Sequence, residues 1–331
     1  MFLKRHHSNY APEIPKHGPW INGPTTKEQE PAAKVTLLYF WNATTPAYKE
    51  SIDHIRRWQH MYGPHGVRIV GIYTPQVSFE KKRDWLEKTV SALRLNIPVY
   101  IDEDFRIVSA LGITRVPYMC LVDAHRAVLF THAGQNGSAH MEFAMQSALH
   151  SLGEKNLPSI ISDDAMAGKI VYPKTADFSC GYLHGHIENP PQSTQGAPVI
   201  VPNQESAFTD TQVYKDGCLY LHGHWAVWPE HIVHTRQVAR HSEYIAVRYS
   251  ACCVYAMVNS QRETIVVTLN RLPIPEDMMG RDMQKSEDGE TVLCKEGPGI
   301  FELVRAPMFH QGVLRIESSA PGFECFGLKF L

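Results

Sequence analysis

Between Lys34 and Leu152 the apolar residues switch repeatedly between the unbroken run of a buried strand and the three-and-four spacing of a helix, and beyond residue 203 the helical spacing does not return. That change of rhythm constrains the chain more than anything else in it. Strands that alternate with helices predict a parallel sheet, because parallel neighbours need a long crossover and a helix supplies one. Short β-prone segments divided by turn residues have no such crossovers, so they pair antiparallel and enclose a core between their own layers. The sequence therefore predicts an α/β domain followed by an all-β, jelly-roll-like sandwich. Its 331 residues exceed what a single hydrophobic core usually serves.

The α/β part is read from residue 31 to residue 153. KVTLLYFW (Lys34 to Trp41), VRIVGIY (Val67 to Tyr73) and IPVYID (Ile97 to Asp102) are its core strands. Ile52, Ile55 and Trp58 recur at helical spacing behind Pro46, and a second helical rhythm follows in KKRDWLEKTVSALRL. MCLVD and AVLFTHAG read as a two-strand ribbon, and Ser138 to Leu152 as a closing helix. Residues 1–30, interrupted by Pro12, Pro15, Pro19 and Pro24, read as an extended arm. Residues 154–203, rich in Pro, Gly, Ser and Asn, read as a linker and irregular lead-in, and 204–331 as the sandwich, with about eight strands from CLYLHG to FECFGLKF.

Charge and composition narrow the function. A formal net charge of −2 and the lack of any dense Lys/Arg block argue against a nucleic-acid partner. No run of about 18 apolar residues offers a membrane span. Seven cysteines, an odd number spread along the chain, do not read as a complete disulfide framework, which favours reduced thiols. The basic start MFLKRHHSNY lacks an apolar segment behind it, so the chain reads as cytoplasmic, or as extracytoplasmic if an export segment precedes it.

In a parallel sheet, chemistry gathers where strands end and helices begin, since free amide N–H groups and the helix dipole converge there. FWNATTPAYKES (Phe40 to Ser51) is that junction. Together with ITRVPYMCLVD (Ile113 to Asp123) it resembles a thioredoxin fold. WINGPTTKEQEPAAKVTLLYFW, VRIVGIYTPQVSFEK and IPVYIDEDFRIVSALGITRVPYMCLVD are similar to the soluble part of DipZ-type proteins, relatives of the TlpA and ResA reductases. The resemblance implies that Val116-Pro117 carries the cis-proline facing the redox motif. It also implies that Thr45 and Tyr48 occupy the two positions of the family's Cys-x-x-Cys. The resemblance further implies an acidic residue after Thr-Pro, where this chain has Gln76, so that a proton-handling group is expected to be missing along with the thiols.

Thiol exchange needs a thiolate and a second cysteine to resolve the mixed disulfide. A Thr hydroxyl has no such oxidation states, and Thr44 or Thr45 is suited instead to capping the helix. A binding groove is expected along Trp41, Thr44, Thr45, Tyr48, Gln76, Val116 and Pro117. Cys120 and the adjacent pair Cys252-Cys253 are the alternatives for a surviving thiol activity, although adjacent strand residues point to opposite faces.

The C-terminal half, on LHGHWAVWPEHIV, YIAVRYSACCVYAMV and GVLRIESSAPGFECFGLKF, resembles the sandwich of DipZ-type chains, similar to carbohydrate-binding modules. Tyr220, Trp225 and Trp228 are candidates for stacking on a sugar. His222 and His224 form an H-x-H pair that Glu230 or His231 would complete as a metal site. The reading is a redox-degenerate thioredoxin-like protein with no cofactor, which binds peptide, protein or glycan. The alternatives are a thiol-disulfide oxidoreductase using another cysteine and a metal-dependent activity on the sandwich.

Overall fold

The structure, a computed structural model, describes residues 10–23, 33–46, 48–134, 137–162, 174–192, 199–261 and 264–331. Residues 1–9 and 24–30 of the expected arm, and 163–173 and 193–198 of the expected lead-in, lie outside them. The chain divides into two compact units, Met1–Lys169 and Ile170–Leu331. Among the described residues no helix is long and apolar enough to cross a membrane.

The first unit runs β1 (Trp20–Ile21), β2 (Val35–Trp41), α1 (Tyr48–Tyr62), β3 (Val67–Tyr73), α2 (Arg83–Ala92), β4 (Val99–Ile101), α3 (Arg106–Ala110), β5 (Tyr118–Asp123), β6 (Val128–Ala133) and α4 (Ser138–Ser151). Six strands form one sheet in the order β1-β4-β3-β2-β5-β6. β2, β3 and β4 are parallel, and β5 returns antiparallel on β2. β2 is central and apolar throughout because each face meets its own core. Val35, Leu37, Tyr39 and Trp41 pack with Ile52, Ile55 and Trp58 of α1, whereas Leu38 and Phe40 pack on the other side with Ile107, Cys120 and Val122.

Two short elements depart from the sequence reading. Part of the proline-broken arm is a strand: Trp20 and Ile21 pair with Tyr100 and Val99 of β4, and Trp20 packs edge-on against Tyr100 at 5.1 Å. α3 was not foreseen, being too short to show a period; Asp102 fixes its start by accepting the backbone N–H groups of Ile107 and Val108, each at 3.0 Å.

The second unit is all β: β7 (Phe178–Ser179), β8 (Glu205–Phe208), β9 (Leu219–Val227), β10 (Ile232–His234), β11 (Tyr244–Ser260), β12 (Ile265–Leu269), β13 (Leu272–Pro273), β14 (Gln284–Lys285), β15 (Thr291–Leu293), β16 (Gly297–Glu317) and β17 (Glu324–Phe330). Four segments read as separate strands merge in pairs into β11 and β16, which pair along nearly their whole length. β11 also pairs with β9 through its first four residues and with β17 further on. Since β17, β10 and β9 are joined in turn, the sheet closes on itself around the main core. The expected lead-in also takes part, because β7 pairs with β17.

The long strand β11 keeps its apolar side inward only by changing parity. Ile245, Val247, Tyr249 and Ala251 face the core, and then Val254, Ala256 and Val258 do. A register shift between Ala251 and Cys253 inserts the extra residue. The N–H groups of Cys252 and Cys253 both donate to the carbonyl of Leu331, at 2.7 and 2.8 Å. The vicinal cysteines are a β-bulge, which accounts for their adjacency without redox chemistry.

Candidate functional site

β2 ends at Trp41, and the chain turns through residues 42–46 before α1 begins at Tyr48. The turn closes with Tyr48 N–H donating to the Thr45 carbonyl and Lys49 N–H to that of Pro46, both at 3.1 Å. An aromatic wall stands behind it: the Trp41 ring meets Tyr73 edge-on at 4.9 Å and Tyr48 at 5.6 Å. The Tyr39 and Ser51 hydroxyls lie 2.6 Å apart, and the Ser51 hydroxyl reaches the Tyr48 carbonyl at 3.1 Å, which ties the first turn of α1 to the sheet.

Beneath the turn lies a group that the sequence reading missed. Glu80, fully buried, accepts hydrogen bonds from Tyr73 OH (2.7 Å), Ala43 N–H (3.2 Å), Thr44 OH (3.3 Å), Gln76 N–H (2.7 Å) and Val77 N–H (3.3 Å). Burial raises its carboxyl above the usual carboxylate range, and these donors counter only part of that rise. The Tyr73 phenol is driven up as well, by burial and by the adjacent Glu80. A buried carboxyl is therefore present four residues beyond Gln76; the signal was the second half of TPQVSFE, where a 3-10 turn over Ser78–Lys81 swings Glu80 inward. The Thr44 hydroxyl serves Glu80, and at 3.4 Å Asn42 Oδ1, which turns this one of the two expected capping candidates, Thr44 and Thr45, away from the helix.

The expected groove residues separate into surface and support. Gln76 is exposed and Thr45 and Val116 are half-buried, whereas Trp41, Thr44, Tyr48 and Pro117 are buried. The Val116–Pro117 peptide is cis. Tyr118 is registered against Phe40 in the last antiparallel pair, so Pro117, one residue earlier, stands at the end of the sheet where β2 closes at Trp41. Thr45, Val116 and Gln76 thus come from three separate connections at the same end of the sheet.

Cys120 points the other way. Its neighbours Met119 and Leu121 pack on the α1 side, but Cys120 packs in the opposite core, fully buried, and burial pushes its thiol up to about 12. It therefore lies on the face of the sheet away from α1. Cys253 is likewise raised by burial, and Cys294 is exposed on the second unit.

In the second unit the proposed ligand sets do not assemble. Tyr220 and Trp225 are buried, and only Trp228, stacked on His231 with ring centroids 6.1 Å apart, reaches the surface. Gly223, with φ +96°, breaks the H-x-H geometry. His222 stacks on Tyr244 and accepts from Asp210 N–H, whereas His224 bonds Glu243 at 2.9 Å. Glu243 also bonds the buried His234 at 2.8 Å. His231 lies apart, packed against Phe326. Among the described residues no three His, Cys, Asp or Glu side chains are grouped to hold a metal ion, so the set His222, His224, Glu230 and His231 is not one site.

Residues 18–148 match the Redoxin family model, and residues 188–330 match the family described as "Thioredoxin like C-terminal domain". The chain is a thioredoxin-like protein of the TlpA, ResA and DipZ type. This thioredoxin-like protein is 24% identical over 125 residues to the thioredoxin-like protein SkfH of Bacillus subtilis, covering 38% of this chain and 86% of SkfH. It is 23% identical over 131 residues to the thiol-disulfide oxidoreductase YkuV of the same organism, covering 40% of this chain and 88% of YkuV. With the protein DipZ of Mycobacterium tuberculosis it shares 26% identity over 98 residues, 29% of this chain and 14% of DipZ. The thioredoxin-like protein therefore belongs among thiol-disulfide oxidoreductase-like chains, and Thr45 and Tyr48 are its own residues at the strand-to-helix turn.

Proposed function

We propose that this chain binds an extended polypeptide segment at the turn between β2 and α1 and does not perform dithiol exchange there. One observation carries the reading: the turn that begins α1 presents Thr45 and Tyr48, and the cysteine of β5, Cys120, is buried on the opposite face of the sheet. A thiolate cannot be generated where there is no sulfur, and a phenol cannot resolve a mixed disulfide. What remains is a surface formed by Thr45, Gln76 and Val116, held over a buried hydrogen-bond network and a rigid aromatic wall. Rigid support of this kind lowers the entropy lost on binding. The partner is a protein or peptide with exposed extended backbone; of the three candidates for stacking on a glycan, Tyr220 and Trp225 are buried and Trp228 alone reaches the surface.

The test is fluorescence anisotropy with labelled, S-carboxymethylated insulin B chain, an unfolded peptide that cannot exchange disulfides. The full chain is expected to bind it, and Val116→Arg, which places a long cation in the groove, to weaken binding at least tenfold. Absence of binding, or equal binding by Val116→Arg, would refute the proposal.

A further inference from the structure

The second unit holds a pair of cysteines that the groove reading does not involve. Cys180 Sγ and Cys325 Sγ lie 3.6 Å apart, both buried, 145 residues apart in sequence. Both thiols belong to the main core of the unit. The backbone fixes Cys180 from two sides: its N–H donates to the Phe326 carbonyl at 3.0 Å, and two residues later Tyr182 N–H donates to the Trp228 carbonyl at 3.0 Å. Gly181 between them fits because a Cβ there would stand 2.3 Å from the Pro229 carbonyl oxygen. Cys325 is held in β17, which is paired on both sides. Neither sulfur has to travel far to reach the other, so little rearrangement separates this contact from a covalent bond.

Access is the second observation. Cys180 lines a cavity of about 480 Å³ together with Gly181, Ile187, Pro191, Ile200 and Val227. That volume admits a small oxidant where a folded protein partner could not enter.

The geometry points to Cys180 and Cys325 as a reversible disulfide site that a small hydroperoxide closes, fastening the segment around β7 to β17. The Cys180 thiolate attacks the peroxide O–O bond, giving a sulfenic acid and releasing the alcohol or water; the Cys325 thiol then displaces water from that sulfur to form the S–S bond. Two thiols are oxidised by two electrons and one peroxide is reduced. Burial, with the neighbouring Cys325 adding to it, keeps the Cys180 thiol well above its ordinary range, so the first step is slower than at an exposed cysteine. The paired arrangement then favours the disulfide over further oxidation.

The experiment treats the full chain with hydrogen peroxide, blocks remaining thiols under denaturing conditions, digests with trypsin and analyses the peptides by mass spectrometry. Cleavage after Lys174 and Lys215, and after Arg315 and Lys329, places each cysteine in a peptide with no other. A cross-link between peptides 175–215 and 316–329 is expected, lost on adding dithiothreitol and lost in Cys180→Ser. The urea midpoint of the oxidised wild-type chain is expected to rise, since a cross-link over so long a loop restricts the unfolded state. Recovery of both peptides fully alkylated from the oxidised wild-type chain, or a cross-link of either to a different cysteine, would overturn the proposal. Because the wild-type digest is decisive alone, the result does not depend on the variant folding, and it is separate from peptide binding at the groove.

Discussion

Glu80 and Thr44 are joined across the base of the β2–α1 turn, the Thr44 hydroxyl donating to the buried Glu80 carboxylate at 3.3 Å while Ala43 N–H reaches its other oxygen at 3.2 Å. This strand-to-helix turn, which carries Thr45 and Tyr48, therefore rests on an ionisable group. The buried carboxyl holds the turn, the Tyr73 hydroxyl and the entry to the 3-10 turn at residues 78–81 in one network.

That network gives a pH signature. The folded-state pKa of Glu80 is raised above its unfolded value by burial, so its contribution to stability is fully present below the unfolded pKa and is lost as pH rises through the folded one. Glu80→Gln removes the titration and sets an amide against backbone donors, which is expected to cost about 1–3 kcal/mol at mildly acidic pH. Urea unfolding of both proteins from acid to neutral pH should show the wild-type advantage shrinking as pH rises; an advantage that grows would contradict the assignment.

No sulfur stands at Thr45 or Tyr48, so introducing it there should introduce thiol chemistry. Thr45→Cys with Tyr48→Cys places two thiols at the start of α1, where the helix N-terminus favours a thiolate. The double variant is expected to gain reductant-driven insulin reduction, and to lose about 3 kcal/mol of stability with the Tyr48 ring. A folded double variant that never turns insulin over would contradict this account of the turn.

Cys120 should be chemically silent. With its thiol pushed up to about 12 by burial, a maleimide reagent is expected to label it only on unfolding, whereas the exposed Cys294 labels at once. Native labelling of Cys120 at the rate of Cys294 would restore it as a redox candidate.

Gly223 separates two histidines that sequence spacing alone placed side by side. Its φ of +96° and a Cβ position 2.3 Å from the Glu243 side chain make Gly223→Ala strained and crowded. A loss of about 2 kcal/mol or more is expected, read as a lower urea midpoint. An unchanged midpoint would mean that the Glu243 bridge between His224 and His234 is not tightly packed.

The α/β order was legible because β2 and β3 are buried on both faces and α1 presents Ile52, Ile55 and Trp58 on one side; such patterns survive in sequence because burial enforces them. The strand-to-helix turn was legible for the same reason, whereas the placing of Thr45 and Tyr48 at the family's two cysteine positions rests on the resemblance alone. Glu80 was not: an acidic residue in a short polar stretch reads as solvent-facing, and only the 3-10 turn shows that it points inward. The histidines misled in the opposite direction, because H-x-H puts two rings on one face only if the strand is regular, and Gly223 makes it irregular. The merging of β-segments into β11 and β16 escaped notice because the apolar alternation changes parity at Cys252-Cys253 and the stretch near Gln311 is polar, whereas in the structure the first is a bulge within a continuous strand.

The most direct test of the central claim is reductant-driven insulin-disulfide reduction by the full wild-type chain, followed by turbidity beside a dithiol thioredoxin at equal concentration. With only Thr45 and Tyr48 at the turn, the rate should equal that of dithiothreitol alone. A rate comparable to the dithiol enzyme would contradict the account.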